Sequence, residues 1–345
     1  MKAIGYFHPR PITSVDSLVA VDLPDPSPGP RDICVRVRAV SVNPADTKSR
    51  ATRSPPEGQV MVLGYDAAGV VEAVGAEVTL FKKGDHVFYA GAMDRPGANS
   101  QLHLVDERLV GKKPGRLTFA EAAALPLTSI TAWELLFTRL AVPYGVKSQK
   151  GSILIINGAG GVGSMLIQLA RRLTGLTVIA TASRPETIQW CREMGAHHVI
   201  DHHQPLPASL KRLGIEEVEY VAGLTATDRH LADIVELIAP QGRLALIDDP
   251  QVLDITPFKL KCVSVHWELM FTRSLYHTPD MVEQHRILND IADLVDAGIL
   301  KTTLTENMGE ITVDNLKRAH ALIESGRTFG KTVLCGFTWG DKEQT

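Results

Sequence analysis

Cysteine is scarce in this chain: four in 345 residues, at Cys34, Cys191, Cys262 and Cys335, with no two at C-x-x-C spacing. That scatter excludes a disulfide-stapled scaffold and a thiolate-rich zinc module, and suits reduced thiols. An excess of one charge is missing too. Lys and Arg number 36 against 39 Asp and Glu, giving a net charge of −3 with no basic stripe, so no nucleic-acid partner is expected. No apolar run approaches the roughly 18 residues that span a bilayer. The opening MKAIGYFHPRP has neither the apolar block nor the small-residue cleavage site of a secretory signal. The expectation is a soluble, cytoplasmic protein with no membrane partner.

The chain is long enough for two cores, at roughly 100–200 residues per domain. Up to about residue 110 the text reads as short strands broken by turns. ICVRVRAVSV (Ile33–Val42) alternates at period two, and Asp25–Arg31 is a Pro/Gly turn cluster. Thr118–Leu140 is Ala- and Leu-rich and helix-like, interrupted at Pro126. Apolar strands then alternate with helices: GSILIING (Gly151–Gly158), a helix over Gly163–Gly175, TVIATA (Thr177–Ala182), a helix over Glu186–Ala196, and HVID (His198–Asp201). VEYVAGL (Val218–Leu224), HLADIVELIA (His230–Ala239) and GRLALID (Gly242–Asp248) continue the rhythm. This predicts an α/β fold whose doubly wound parallel sheet is buried on both faces. A helix over Asp280–Gly298 and the strand KTVLCGF (Lys331–Phe337) close the chain. WELLFTR (Trp133–Arg139) and WELMFTR (Trp267–Arg273) match at six of seven positions, too short for a structural repeat.

The sharpest motif is Asn157-Gly158-Ala159-Gly160-Gly161-Val162-Gly163-Ser164, a G-x-G-x-x-G between an apolar strand and an amphipathic helix. Gly158 permits the tight turn, Gly160 the approach of a pyrophosphate, and Gly163 close helix–strand packing. The N–H groups from Gly161 and Val162 onward face the anion. An NAD site carries a carboxylate about 20 residues further on, where this chain has Ser183-Arg184. A guanidinium suits a 2′-phosphate, so NADP(H) is favoured; the other reading of Arg184 is a solvated loop residue.

The chain resembles the medium-chain dehydrogenase/reductase superfamily, and within it the zinc-type alcohol dehydrogenase-like, quinone oxidoreductase branch. The likeness is carried by Ser41-Val42-Asn43-Pro44-Ala45-Asp46, by Gly64–Val71 through Gly84-Asp85-His86-Val87, and by Leu125-Pro126 through Thr131-Ala132-Trp133. The glycine motif, Gly195-Ala196 leading to Ile200-Asp201, and Gly330–Leu334 complete it. It implies a GroES-like catalytic domain from 1–125 completed by 269–345, around a Rossmann NADP(H)-binding domain at 126–268, with the active site in the cleft between them. It also implies a homodimer whose Rossmann sheets join edge to edge, through GRLALID or through the segment Lys261–His266.

The departures from the family carry as much as the matches. Zinc members have a Cys ligand where this chain has Asn43, a relay hydroxyl at Ala45, a His ligand at Tyr65 and a third ligand near Leu127. Asn, Tyr and Leu do not make a zinc triad, and Met93–Leu104 lacks the cysteines of a structural zinc lobe. Zinc is not expected. Without a Lewis acid, hydride transfer is easiest to acceptors that delocalise the incoming charge, which points to quinones or α,β-unsaturated carbonyls. By resemblance, Asn43 donates an N–H to the substrate oxygen, or is only a turn residue before Pro44. Thr131 flanks the nicotinamide, or starts a helix. Tyr65 lines the pocket, or packs in a core. Lys331 contacts the cofactor, or lies on a surface strand. Trp267 walls the nicotinamide end, or packs in a core. Asp46 and Asp66 read as carboxylates orienting backbone or an arginine. Two other functions stay open, an alcohol dehydrogenase with a non-standard metal and an NADPH-binding redox sensor. HHVIDHH (His197–His203) is read as strand and loop rather than a metal site, because adjacent side chains on a strand point apart.

Overall fold

A computed structural model of the chain describes residues 1–148 and 150–337. The chain forms two compact units, Met1–Leu127 with Phe271–Thr345, and Thr128–Met270. The first unit opens with β1 (Lys2–Tyr6), β2 (Val19–Asp22), β3 (Asp32–Val42), helix α1 (Pro44–Thr52), β4 (Met61–Val62), β5 (Asp66–Val74), β6 (His86–Tyr89), β7 (Leu102–Asp106) and β8 (Val110–Lys112). β1 pairs with β2 and β4 in a small antiparallel sheet. β3 organises the larger one. Its alternating apolar residues pair along most of its length with β5, while β7 takes Asp32–Arg36 on the opposite edge. Val35, Val40, Val71, Val87 and Tyr89 fill the core that results.

Helices α2 (Phe119–Ala123) and α3 (Pro126–Trp133) lead into the second unit, which contains β9 (Ser152–Ile156), α4 (Gly161–Leu173), β10 (Thr177–Thr181), α5 (Pro185–Met194) and β11 (His198–Ile200). After them come α6 (Leu206–Lys211), β12 (Val218–Gly223), α7 (Leu231–Leu237), β13 (Ile238–Leu246) and β14 (Ser264–Trp267). The six strands are all parallel, in the order β11-β10-β9-β12-β13-β14. Read by appearance in the chain this is 3-2-1-4-5-6, the doubly wound dinucleotide-binding order. Every residue of β9 is buried, as a strand covered on both faces requires. The chain then returns to the first unit through α8 (Thr272–Leu275), α9 (Glu283–Asp296), β15 (Leu304–Asn307), α10 (Val313–Glu324) and β16 (Lys331–Cys335). β16 pairs antiparallel with the end of β3, Thr332 opposite Val42, and β15 adds outside it. No helix among the described residues is long and apolar enough to cross a membrane.

Three local expectations change. The helix-like run Thr118–Leu140 breaks at Pro126 as expected, into α2 and α3, but its end over Glu134–Arg139 is a π-helical turn. The expected strand Lys261–His266 starts three residues later. Thr256–Lys261 is a 3-10 turn, closed by Cys262 in the left-handed region at φ 50°. GRLALID does not form a sheet edge either, because β13, which carries most of it, lies between β12 and β14.

Candidate active site

Three strand ends in the first unit bring together residues far apart in sequence. β3 stops at Val42, and Asn43 stands at the head of α1 with Pro44 as the first helical residue, where its fixed φ is tolerated. Across β3, Ser41 is in register with Asp66 on one side and Val42 with Thr332 on the other. Asn43, Asp66 and Lys331 therefore converge, exposed by only 1, 0 and 4%. The Lys331 ammonium donates to Asp66 Oδ2 at 2.9 Å, to Asn43 Oδ1, and to the Val42 carbonyl at 3.3 Å. Asn43 Nδ2 donates to the same carboxylate at 2.9 Å and makes a long contact of 3.4 Å with Ser41 O. The Leu127 N–H reaches Asp66 Oδ1 at 2.7 Å.

Asp46 sits in the turn below. It accepts from the Asn43 N–H at 2.8 Å and from the Gly64 N–H at 3.1 Å. Burial pushes its pKa up to about 6; the two N–H groups and Lys331 oppose that rise, and Asp66 adds to it. Tyr65 points inward, its hydroxyl 3.2 Å from Ser49 Oγ and its ring centroid 4.9 Å from that of Phe271. Burial raises its pKa as well.

This cluster does not fit a catalytic zinc. The positions the family uses for ligands hold an amide bonded to Lys331 and Asp66, a phenol bonded to Ser49, and a leucine. Lys331 already brings a cation to Asn43 and Asp66, and a second cation there would be repelled. Among the described residues, the one group of three His, Cys, Asp or Glu side chains close enough to share a metal is Asp201, His202 and His203 in the second unit.

The second unit fits a dinucleotide. Asn157 at φ 64° turns the chain out of β9, and its N–H is held by Thr181 Oγ1 at 2.9 Å. A Cβ on Gly163 would lie 2.6 Å from the Asn157 and Gly158 carbonyl oxygens, and one on Gly158 2.7 Å from Ala180 Cβ. These two glycines are dictated by packing. A Cβ on Gly160 would meet nothing nearer than 3.4 Å. No side chain caps α4 at Gly160, so the first-turn N–H groups of Gly161, Val162 and Gly163 suit a phosphate. Ser183 and Arg184 follow β10, with Arg184 Nε 3.3 Å from Glu186 in a half-exposed pair. Thr131 is buried on α3.

The sequence marks Asn43, Asp66 and Lys331 separately but not their mutual bonds, and leaves Lys331 between a cofactor contact and a surface strand. At 4% exposure it is not a surface lysine, and its three N–H donors meet three acceptors of this cluster. Trp267 ends β14 and is 56% exposed in the second unit. The paired heptapeptides take different structures, yet Arg139 of the first donates to Glu268 of the second at 2.8 Å.

Two family profiles match the chain: the alcohol dehydrogenase GroES-like domain over residues 29–133 and zinc-binding dehydrogenase over residues 194–334. A zinc-type alcohol dehydrogenase-like protein of Staphylococcus aureus (strain MSSA476) is 41% identical over 341 residues, 97% of this chain and 99% of the relative. A quinone oxidoreductase of Pseudomonas aeruginosa is 32% identical over 314 residues, covering 89% of this chain and 92% of the relative. A crystal structure from Rhizobium etli CFN 42, provisionally called a zinc-dependent alcohol dehydrogenase, is 57% identical with a TM-score of 0.94, covering 98% of both chains.

Proposed function

This chain belongs to the medium-chain dehydrogenase/reductase superfamily, and from that premise we propose that it reduces quinones or α,β-unsaturated carbonyls with NADPH, without catalytic zinc. An oxidoreductase of this superfamily is what the relatives support; the acceptor class, the cofactor and the absence of zinc are our reading. The observation that carries it is Asn43, at a position where zinc members place a ligand, bound instead into a cluster with Lys331 and Asp66. A simple ketone needs a Lewis acid or strong donor for the full alkoxide charge, whereas a quinone or enone spreads that charge.

When bound, the nicotinamide supplies the hydride, as an electron pair with its hydrogen. The uncapped start of α4 holds the diphosphate, and Ser183 with Arg184 holds the 2′-phosphate. Asp66 and Lys331 fix the Asn43 amide so that the N–H with only the 3.4 Å contact to Ser41 is the one left to meet the acceptor oxygen. Thr131 flanks the nicotinamide, and Tyr65 contributes its ring. The final proton comes from solvent.

The test is NADPH and NADH oxidation against a panel of quinones, enones and simple ketones. NADPH turnover with quinones or enones is expected, with simple ketones inert. Arg184→Ala should weaken NADPH alone, by about 10- to 100-fold for one lost charge-assisted bidentate contact. Inactivation by chelators at a temperature where the stripped protein stays folded, with rescue by zinc, would overturn the zinc-free active site. Tight NADPH binding without turnover of any acceptor would favour a sensor.

A further inference from the structure

The metal-capable group in the second unit lies outside the chemistry described so far. His202 and His203 do not obey strand alternation, because β11 ends at Ile200 and both residues occupy the turn after it. Their rings converge, with centroids 4.7 Å apart, and the His230 ring approaches His202 at 6.4 Å from the turn before α7. Ligand atoms of Asp201, His202 and His203 all lie within 4.8 Å of one another.

We propose that Asp201, His202, His203 and His230 form a binding site for a divalent transition-metal ion that clips the turn after β11 to the start of α7. Two imidazoles on one tetrahedral ion, with metal–nitrogen bonds of about 2 Å, hold their ring centroids about 5 Å apart. The two observed separations bracket that value. The orientation is also suitable. His203 Nδ1 is bonded to Asp201 Oδ1 at 3.1 Å and His202 Nδ1 to Thr181 Oγ1 at 3.3 Å. Thr181 thus leaves His202 Nε2 for the ion, the arrangement that steadies ligating histidines elsewhere, while the 3.1 Å between His203 Nδ1 and Asp201 Oδ1 is close to the about 3.3 Å between two ligand atoms on one tetrahedral ion. The turn is braced before any ion arrives: the His203 N–H donates to Asp201 Oδ1 at 2.9 Å, and the Leu206 N–H to Asp233 Oδ2 at 2.9 Å, tying α6 to α7. His203 and Asp201 are exposed by 69 and 41%, so ions can enter from solvent. Imidazole with one carboxylate selects zinc, nickel or copper over magnesium or calcium.

The experiment strips the full-length protein with a chelator and titrates it with zinc chloride by calorimetry, following the melting temperature in parallel. One saturable site per chain is expected, with a rise in melting temperature. The exposed His203→Ala variant and, separately, His230→Ala should each weaken zinc by at least about tenfold, while His198→Ala, on the strand itself, should not. Absence of saturable binding, or unchanged affinity in both the His203 and His230 variants, overturns the site. Because the readout is binding and melting, the result does not depend on the acceptor chemistry proposed above.

Discussion

A lysine ammonium and a carboxylate sealed from water need each other, because a buried charge without its partner costs far more than the pair contributes. Lys331→Met leaves the Asp66 carboxylate uncompensated and should cost about 3–5 kcal/mol in a urea melt. Adding Asp66→Asn should restore most of that loss; a double variant no more stable than the single one would show that the two charges are not coupled. The members of this cluster were visible in the sequence one at a time. Their partnership was not, since Lys331 and Asp66 lie 265 residues apart and meet only through strand register. Titration acts at the same scale. Burial holds His103 at a pKa of about 4 and His320 at about 3, and neither His320 nitrogen has a partner. Both folded values lie below the unfolded value near 6.5. The stability the neutral rings contribute is therefore fully present above about pH 6.5 and is lost as the pH falls toward 4. Asp46 works the other way, its raised pKa adding stability between about pH 6 and 4, but one carboxylate faces two larger histidine shifts. Melting temperature should drop from pH 6.5 to 4, and His320→Leu should flatten that drop. An unaltered acid slope in the variant would remove His320 from the explanation.

Elements whose residues are neighbours in the chain were the most legible. The strand, glycine turn and helix over residues 152–173 are a local unit, so their spacing announced them. The π-helical turn at Glu134–Arg139 and the delayed start of β14 were not, because each depends on tertiary packing or on one left-handed residue, Cys262. The glycine turn also separates structural from ligand constraints. Gly163→Ala forces a Cβ against two backbone oxygens at 2.6 Å, which no rotamer change relieves. It should destabilise the protein by about 1–3 kcal/mol, the cost typical of overpacking. Gly160 has φ −66° and ψ 173°, open to any residue, and room for a methyl group. Gly160→Ala should keep the melting temperature and weaken NADPH, since the methyl would occupy the space of the diphosphate. Equal effects of the two substitutions on stability would remove the distinction.

At the scale of the whole molecule the question is what covers the free edges of the six-stranded sheet. At one end β11 is three residues long. At the other, β14 carries no formal charge in Ser264–Trp267, and the chain around it exposes Val252 by 77%, Ile255 by 51%, Leu260 by 95%, Trp267 by 56% and Leu269 by 50%. An uncharged edge beside exposed apolar side chains is a template for another strand. The partner we propose is a second copy of this chain. A two-fold axis through the edge sets β14 antiparallel to itself, joins two six-stranded sheets and closes the assembly at two subunits, leaving no open end for further growth. The sequence offered two candidates for this edge: GRLALID lies inside the sheet, whereas the segment after it, Lys261–His266, overlaps β14 at the end. Light scattering should give about twice the chain mass of 37.5 kDa. Val265→Lys with Trp267→Lys sets like charges against each other across the two-fold axis and removes the apolar cover of the edge, and should return the mass of one chain with the circular dichroism of a folded protein. A monomer at micromolar concentration in the unmodified protein, or a dimer indifferent to both substitutions, would place the contact elsewhere.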